Sequence, residues 1–395
     1  FVPLNCSLIR VNVAINRQRY LNGLTRYFVC HNSPTRDIEV KMTTDMLLGI
    51  LLCISAVAAV DVWNIQQLEA AKKGKDKHIM IRDLNVPAGT TLNLEKLKPG
   101  TTVVFSGRVT FGYEEWEGNL IKISGNNVRI EGAPGSLIDG EGARWWDGQG
   151  RNDGKKKPKL ISLQLTDSVV TNLNFKNSPA HGVSVNNCKN LHISNINFNN
   201  KDGHTLGGHN TDAFDIGNSD LVTIADCYVE NQDDCLAINS GTRIVFERNT
   251  CIGGHGISIG SVGGRSNNIV DDVIVRDCKV INNDNGVRIK TNKDTTGRVT
   301  NVRFINVELQ NIRKVGISIQ GNYANSGAKG DPTGGVPIQD LVIDNVHGTV
   351  NPKGTNIVVW VANASKWTWK SSITGGGKKA NCTGIPAGVK IPCGV

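Results

Sequence analysis

Four short polar segments carry the residue types that acid–base chemistry needs: Asn210-Thr211-Asp212, Asp233-Asp234, Gly254-His255-Gly256 and Arg288-Ile289-Lys290. Together they supply three carboxylates, one imidazole and two cations. Like charges gathered in one place resist simultaneous ionisation, so one carboxyl should keep its proton to a higher pH than its neighbours. An acid and a base made from one residue type are what hydrolysis of a glycosidic bond requires. Arg288 and Lys290 alternate along a strand, so both face one way while Ile289 enters the core. Two such cations suit a substrate carboxylate. Each segment alone has a plainer explanation: an Asp-Asp pair in a solvated turn, a turn histidine between glycines, cations on a solvated face. A calcium site is another reading of clustered acids and Asn, but the Arg and Lys nearby would repel the metal. The Gly-rich stretch 258–264 lacks the Gly-Lys-Ser/Thr ending of a phosphate loop.

Spacing turns these fragments into a set. Thr211, Asp233, His255 and Ile289 follow one another at 22, 22 and 34 residues. A framework that repeats at about that interval would bring all four segments to one face. The sequence contains such a framework. Val170-Thr-Asn-Leu-Asn-Phe175, Ile193-Ser-Asn-Ile-Asn-Phe198 and Ile224-Ala-Asp-Cys-Tyr-Val229 share one pattern: apolar, any, Asn or Asp, apolar, any, apolar. Val275-Arg-Asp-Cys-Lys-Val280 and Phe304-Ile-Asn-Val-Glu-Leu309 repeat it, and Ile343-Asp-Asn-Val346 begins it again. The fourth residues of the copies lie 23, 31, 51, 29 and 39 apart, and the longest gap holds one more copy, shifted by a residue, around Cys251. A period near 25 residues with loop insertions signals a solenoid. Alternating apolar residues make each copy strands, and the Asn suits a left-handed bend and a ladder with Asn above and below. The expected fold is therefore all-β: a right-handed parallel β-helix with a core of short aliphatics. The Leu spacing of a leucine-rich repeat is absent. Residues 62–73 should form a short helix capping the first coil. Trp367-Thr-Trp369 and the loop between Cys382 and Cys393 should close the other end.

Composition agrees with this reading. Aromatics are 5% and Met only 3 of 395 residues, against 44 Gly, which argues against a helical bundle. The longest apolar run, residues 47–60, is shorter than the roughly 20 residues a membrane-spanning helix needs. The first Met is Met42, so residues 1–41 are expected to be upstream sequence that is not translated. Residues 42–59 resemble a secretion signal, with Ala56, Ala58 and Ala59 near the cut. Residues 60–395 form the expected single catalytic domain. The whole chain carries +9, and removing residues 1–59 still leaves a basic protein, a balance suited to nucleic acid, an acidic surface or an acidic substrate. Cysteine spacing offers Cys235 with Cys251 and Cys382 with Cys393 as local pairs, leaving Cys188, Cys227 and Cys278 free. Asn363 and Asn381 begin glycosylation sequons, which fits export to the extracellular space.

The motifs Asn210-Thr-Asp212, Gln232-Asp-Asp-Cys235, Gly254-His-Gly-Ile-Ser-Ile-Gly-Ser261 and Arg288-Ile-Lys290 resemble, in order, those of the polygalacturonases, glycoside hydrolase family 28. The resemblance runs from about residue 62 to 395. It includes Tyr113-Glu-Glu-Trp116, Gly142-Ala-Arg-Trp-Trp146 and Gly154-Lys-Lys-Lys-Pro158, which look like the fungal endo-acting branch. It implies the β-helix and inverting hydrolysis of α-1,4-galacturonosyl linkages in polygalacturonate, the backbone of pectin. Asp233 matches the general acid, Asp212 and Asp234 the pair activating water, and His255 the residue tuning protonation. Arg288, Lys290 and Tyr323, in Gln320-Gly-Asn-Tyr323, match substrate-holding residues, and Asn210, Asn218 and Gln320 match further contacts.

The chain also departs from that pattern. Residues 61–187 hold no Cys, and neither does Val361-Ala-Asn-Ala-Ser365, where fungal relatives usually carry disulfides. His181, in Pro179-Ala-His-Gly182, stands where those relatives have an apolar residue near the cleft, and is taken as a substrate-facing residue. An exo-acting polygalacturonase would carry loops blocking one cleft end, and no large insertion is visible. A rhamnogalacturonase would lack the Asn-Thr-Asp set, and a pectin lyase would lack the three aspartates. A non-catalytic pectin-binding homologue would have lost one of them. Nucleic-acid binding would need stacking aromatics among the positive groups. The resemblance implies a monomer without metal or other cofactor, and plant polygalacturonase-inhibiting proteins as a class of partner.

Overall fold

The computed structural model describes residues 59–324 and 327–394, with the backbone of residues 27–30 and 38–41. Phe1–Ala58 and Ala59–Val395 are separate compact units. In the first, Tyr27–Cys30 pairs antiparallel with Ile38–Lys41. The expected secretion signal lies outside the described residues except for Ala59.

The second unit is a right-handed parallel β-helix. One sheet stacks Leu92–Leu97, Asn119–Asn126, the first half of Lys159–Thr171, Val183–Asn186, Phe214–Gly217, Asp234–Ile238, Gly256–Val262, Asn285–Asn292, Val315–Ala324 and Thr355–Trp360. This is the sheet that carries the polar segments, and it is called the site sheet below. Its inward residues are short aliphatics such as Val185, Ile216, Ile238, Ile259, Ile289 and Ile319, all fully buried. The core is not free of aromatics. Phe175 sits over Phe198 in register, ring centroids 6.3 Å apart, and every Phe of the second unit is inside.

The repeated Asn or Asp makes the bend between the other sheets. Asn172, Asn195, Asp226, Asp277, Asn306 and Asn345 all take left-handed φ values between 53° and 58°, a region their short polar side chains tolerate. Their side chains form the expected ladder: Asn306 donates to Asp277 at 2.7 Å, and Asn345 to Asn306 at 3.0 Å. The copy around Cys251 is not shifted. Phe246 pairs with Ile224 and Cys251 with Val229, so Arg248 occupies the bend and Asn249 the core position. Arg248 continues the ladder by gripping Asp226 with two nitrogens, at 2.8 and 2.9 Å. Asn249, buried, accepts from Cys227 N and donates to Ile224 O, which satisfies a polar group in an apolar stack.

The ends are closed as expected. The helix spans Ile65–Lys73 and starts later than expected, because Val60–Val62 is a strand paired with residues 79–81; Asn64 caps it, its side chain accepting from Gln67 N, and it buries Leu68 and Ala71 over the first coil. At the other end Trp367 is buried and donates to Ile338 O, while residues around Thr383 and Gly394 bridge to the last strand of the site sheet. Cys382 and Cys393 are bonded, Cα atoms 6.2 Å apart. Cys188, Cys227 and Cys278 are free and buried, and burial pushes their thiols up to about 11, 12 and 12.

Candidate active site

Outward residues of the site sheet align in a row across successive coils. Ser184, Asp215, Ala237, Ser258, Arg288 and Ser318 are register partners in sequence. The coil between Ser258 and Arg288 is 30 residues, not 34, because His255 lies in the turn before its strand while Ile289 lies within the next one. The four segments nevertheless meet, partly on this row and partly on the turns feeding it.

Asp233 and Asp234 share the site because the strand is irregular where it begins. Pairing shifts register between Asp234 and Leu236, so Cys235 and Leu236 both enter the core and strict alternation is lost. Cys235 is bonded there to Cys251, Cα atoms 5.8 Å apart, which pins the bulge from inside. Asp234 is left facing outward, and Asp233 sits on the turn before it. Asn231, fully buried, donates to Thr211 O at 2.8 Å and Asp234 O at 3.0 Å and so ties the two aspartate turns together. Glycine is required beside the histidine: a Cβ on Gly254 would lie 2.1 Å from Asp233 O, the oxygen that His255 N bonds at 2.7 Å.

The three aspartates have different surroundings. Asp234 is 2% exposed and accepts Ser258 Oγ and Arg288 on Oδ1 and Lys290 Nζ on Oδ2. Burial alone would raise its pKa, but Arg288 and Lys290 outweigh burial and hold it well below the usual carboxylate range. Asp233 accepts His255 Nδ1 at 2.9 Å and Asp234 N at 2.8 Å on Oδ1, and Asn210 Nδ2 at 3.1 Å on Oδ2. Burial acts to raise its pKa as well, and the bond and charge of His255 bring it below the ordinary value. The same contact, against burial, raises His255. Asp212 is 7% exposed and its Oδ1 has no hydrogen-bond partner. Burial, then the charges of Asp233, Asp215 and Asp234, push it well above the carboxylate range. One carboxyl is thus held back from ionising, as the clustering of charges requires. In the free site it is Asp212, while the proton near Asp233 rests on His255.

Other expected residues fall at varying distances from this centre. Lys290 Nζ lies 5.3 Å from the Tyr323 ring centroid, a cation–π contact. Gln320 is the register partner of Lys290 and accepts Ser318 Oγ at 3.1 Å. His181 Nδ1 is 2.6 Å from Asp215 Oδ2. Asn218, directly after the site-sheet strand Phe214–Gly217, is exposed at a left-handed bend, where it donates to Asn187 and accepts from Asn267 within an Asn ladder. Two acids were not anticipated. Asp215 is marked only by the alternation Phe214-Asp215-Ile216, which turns it outward three residues after Asp212. Asp284, 3.7 Å from His255 Nε2 and bonded to Arg313 and Lys314, carried no motif.

Two sets of nitrogen and oxygen atoms, His181 with Asp212 and Asp215, and Asp233 with Asp234 and His255, each lie within 4.8 Å of one another. In the second set the oxygens of Asp234 are already taken by Arg288 and Lys290. Upstream on the same sheet an open groove of about 370 Å³ is lined by Glu117, Arg151, Lys159, Ser162, Ser184 and Asn186. Its floor connects to the centre through Arg151 N, which donates to Asn210 Oδ1 at 2.9 Å. The adjoining loop is anchored by Lys157, 1% exposed, paired with Asp147 at 2.8 Å.

A β-helix bearing an acid–base cluster beside a polar groove is the architecture of a polysaccharide-cleaving hydrolase. The family model "Glycosyl hydrolases family 28" matches residues 77–393, and the chain belongs to that family. A polygalacturonase of Penicillium griseoroseum is 48% identical over 356 residues, covering 89% of this chain and 95% of the relative. Endopolygalacturonase 1 of Colletotrichum lindemuthianum is 48% identical over 363 residues, covering 88% and 100%. Among solved structures, endopolygalacturonase I from Stereum purpureum, complexed with two galacturonate molecules, superposes with a TM-score of 0.74 at 33% identity, covering 80% of this chain and 94% of that one.

Proposed function

We propose that the chain is an endo-acting polygalacturonase that hydrolyses α-1,4-galacturonosyl linkages with inversion. The observation that carries the reading is the division of labour among three adjacent aspartates. Asp234 is fixed as a carboxylate by Arg288 and Lys290. Asp233 shares a proton with His255 across 2.9 Å. Asp212 is the most basic of the three.

In this mechanism Asp233, supplied by His255, protonates the leaving oxygen. Asp212 and Asp234 hold a water on the opposite face, and Asp212 takes its proton as the water attacks. Arg288, Lys290 and Tyr323 face the carboxylate of a bound galacturonate, with Asn210 and Gln320 as further contacts. The upstream groove brings Arg151 and Lys159 to the same face, where more distant carboxylates of the polymer would lie. That open extension supports endo over exo action. Digestion of polygalacturonate followed by sizing of the products tests it: a spread of oligomers supports the reading, and release of monomer or dimer alone favours the exo alternative.

Export from the cell and glycosylation belong to the same reading. Asn363 and Asn381 are both exposed, as a glycan acceptor must be. The described residues contain no helix long and apolar enough to cross a membrane. A secretion signal at residues 42–59 and a domain beginning at residue 60 rest on the sequence pattern. A monomeric state and recognition by plant polygalacturonase-inhibiting proteins rest on the family resemblance.

A further inference from the structure

We propose that His181 is a positioning residue for Asp212: its imidazolium, anchored on Asp215, supplies the positive charge that lets Asp212 ionise beside Asp233 and Asp234. The inference rests on the reading of Asp212 as the base.

The geometry is specific. His181 lies on the turn before Val183–Asn186, one coil upstream of Asp212 and Asp215. Its Nδ1 is 2.6 Å from Asp215 Oδ2 and 3.9 Å from Asp212 Oδ1. The first is a hydrogen bond, donated by the ring to an ionised carboxylate. The second is too long for one but well within the reach of charge. Asp212 Oδ1 is the atom that is buried without a hydrogen-bond partner. The atom most in need of a counter-charge therefore faces the one imidazole beside it. Other charged groups around the pair are few among the described residues. Asp233 and Asp234 face Asp212 from the following coil, with Lys290 beyond them. Lys159, on the preceding coil, directs its ammonium to Ser184 Oγ at 3.5 Å. Asp215 is a nearby negative charge that opposes ionisation of Asp212, and a protonated His181 offsets it.

The sign follows. A cation beside a carboxylate favours its ionised form and lowers its pKa. With His181 protonated, Asp212 becomes available as a base at lower pH. Replacing His181 with a neutral side chain removes the direct attraction and also leaves the Asp215 charge unscreened. Both effects raise the pH at which Asp212 loses its proton.

The test is the pH dependence of kcat/KM on polygalacturonate for the wild type, His181→Gln and His181→Lys. His181→Gln keeps a donor of similar reach without charge, and its acid limb should move up by about one pH unit. His181→Lys keeps a charge and should leave the limb within a few tenths of the wild type. In an Asp215→Asn background, the shift produced by His181→Gln should shrink to less than half. An acid limb that stays in place in His181→Gln, with kcat/KM scaled down at every pH or KM alone raised, overturns the proposal in favour of a packing or substrate-contact role. If His181→Lys does not fold, the Gln variant and its Asp215→Asn combination decide the matter. Absence of hydrolysis by the wild type would instead overturn the functional reading on which this one stands.

Discussion

Lys290 Nζ lies 2.8 Å from Oδ2 of Asp234, although 56 residues separate them in the chain. Arg288 takes the other oxygen of the same carboxylate. The residues proposed to bind substrate carboxylate are thus the ones that keep a catalytic carboxylate ionised. Substrate recognition and protonation state are coupled through one buried ion-pair group.

That coupling predicts how Lys290→Ala should behave. It should lose activity on every substrate, because Asp234 loses one of the two charges that hold its pKa down. It should lose more on polygalacturonate than on heavily methyl-esterified pectin, whose neutralised carboxylates cannot use the lysine. Initial rates on the two polymers check this. Equal losses on both would confine Lys290 to its role at Asp234.

Asp233→Asn should abolish nearly all turnover, by the 10²–10⁴-fold or so typical of acid–base catalysis, and leave binding of oligogalacturonate largely intact. The amide keeps the shape and the bond to His255 but has no proton to transfer. Calorimetric binding beside a turnover assay separates the two effects. Retention of more than about a tenth of kcat would remove Asp233 from the acid role.

Asp212→Asn should inactivate the protein and yet stabilise it at neutral pH. The folded Asp212 pKa is raised, so above the unfolded pKa the unfolded chain releases a proton that the folded one retains. The penalty is absent in acid below that value and grows as pH rises toward the folded pKa. The gain in Tm of the variant should therefore be small near pH 3 and larger at pH 7, by about 1–2 °C for each kcal/mol relieved. A gain that is equal at both pH values would show that the aspartate is not held protonated.

Much of the fold was legible because a β-helix converts sequence spacing into position. Asn172, Asn195 and Asn306 could be read as bends from chemistry alone, since a short polar side chain at a repeated position fits a left-handed turn. The coil carrying Arg248 and Asn249 was misplaced by a residue because a different pair of side chains satisfies the same bend and ladder there. The meeting of Asp212, Asp233, Asp234, His255, Arg288 and Lys290 also followed from spacing. How Asp233 and Asp234 share one face did not, because a register shift leaves no alternation to read. Asp215 and Asp284 were hidden for another reason: a single acid in a strand or turn resembles any solvated one until the coil above is in place. Asn218 could be named only through the family resemblance, and the ladder that its amide joins, with Asn187 and Asn267, needs the neighbouring coils in place to be seen.

Arg151 and Lys159 should matter only for longer substrates. Lys159 lies three strands before Asp234 on the site sheet, roughly 14 Å away at the usual strand spacing of about 4.8 Å. In Lys159→Ala, kcat/KM should fall on long oligogalacturonates and change little on the shortest cleavable ones. A loss independent of substrate length would tie the lysine to the fold of the groove and not to the polymer.

The most direct test of the account is the anomeric form of the first reducing ends released from polygalacturonate, followed by proton NMR in the opening minutes of digestion. A single displacement by water, activated between Asp212 and Asp234 while Asp233 protonates the leaving oxygen, predicts that the β-anomer appears first and then equilibrates. Initial release of the α-anomer would mean that a carboxylate attacks the sugar directly, which would contradict the roles assigned to all three aspartates.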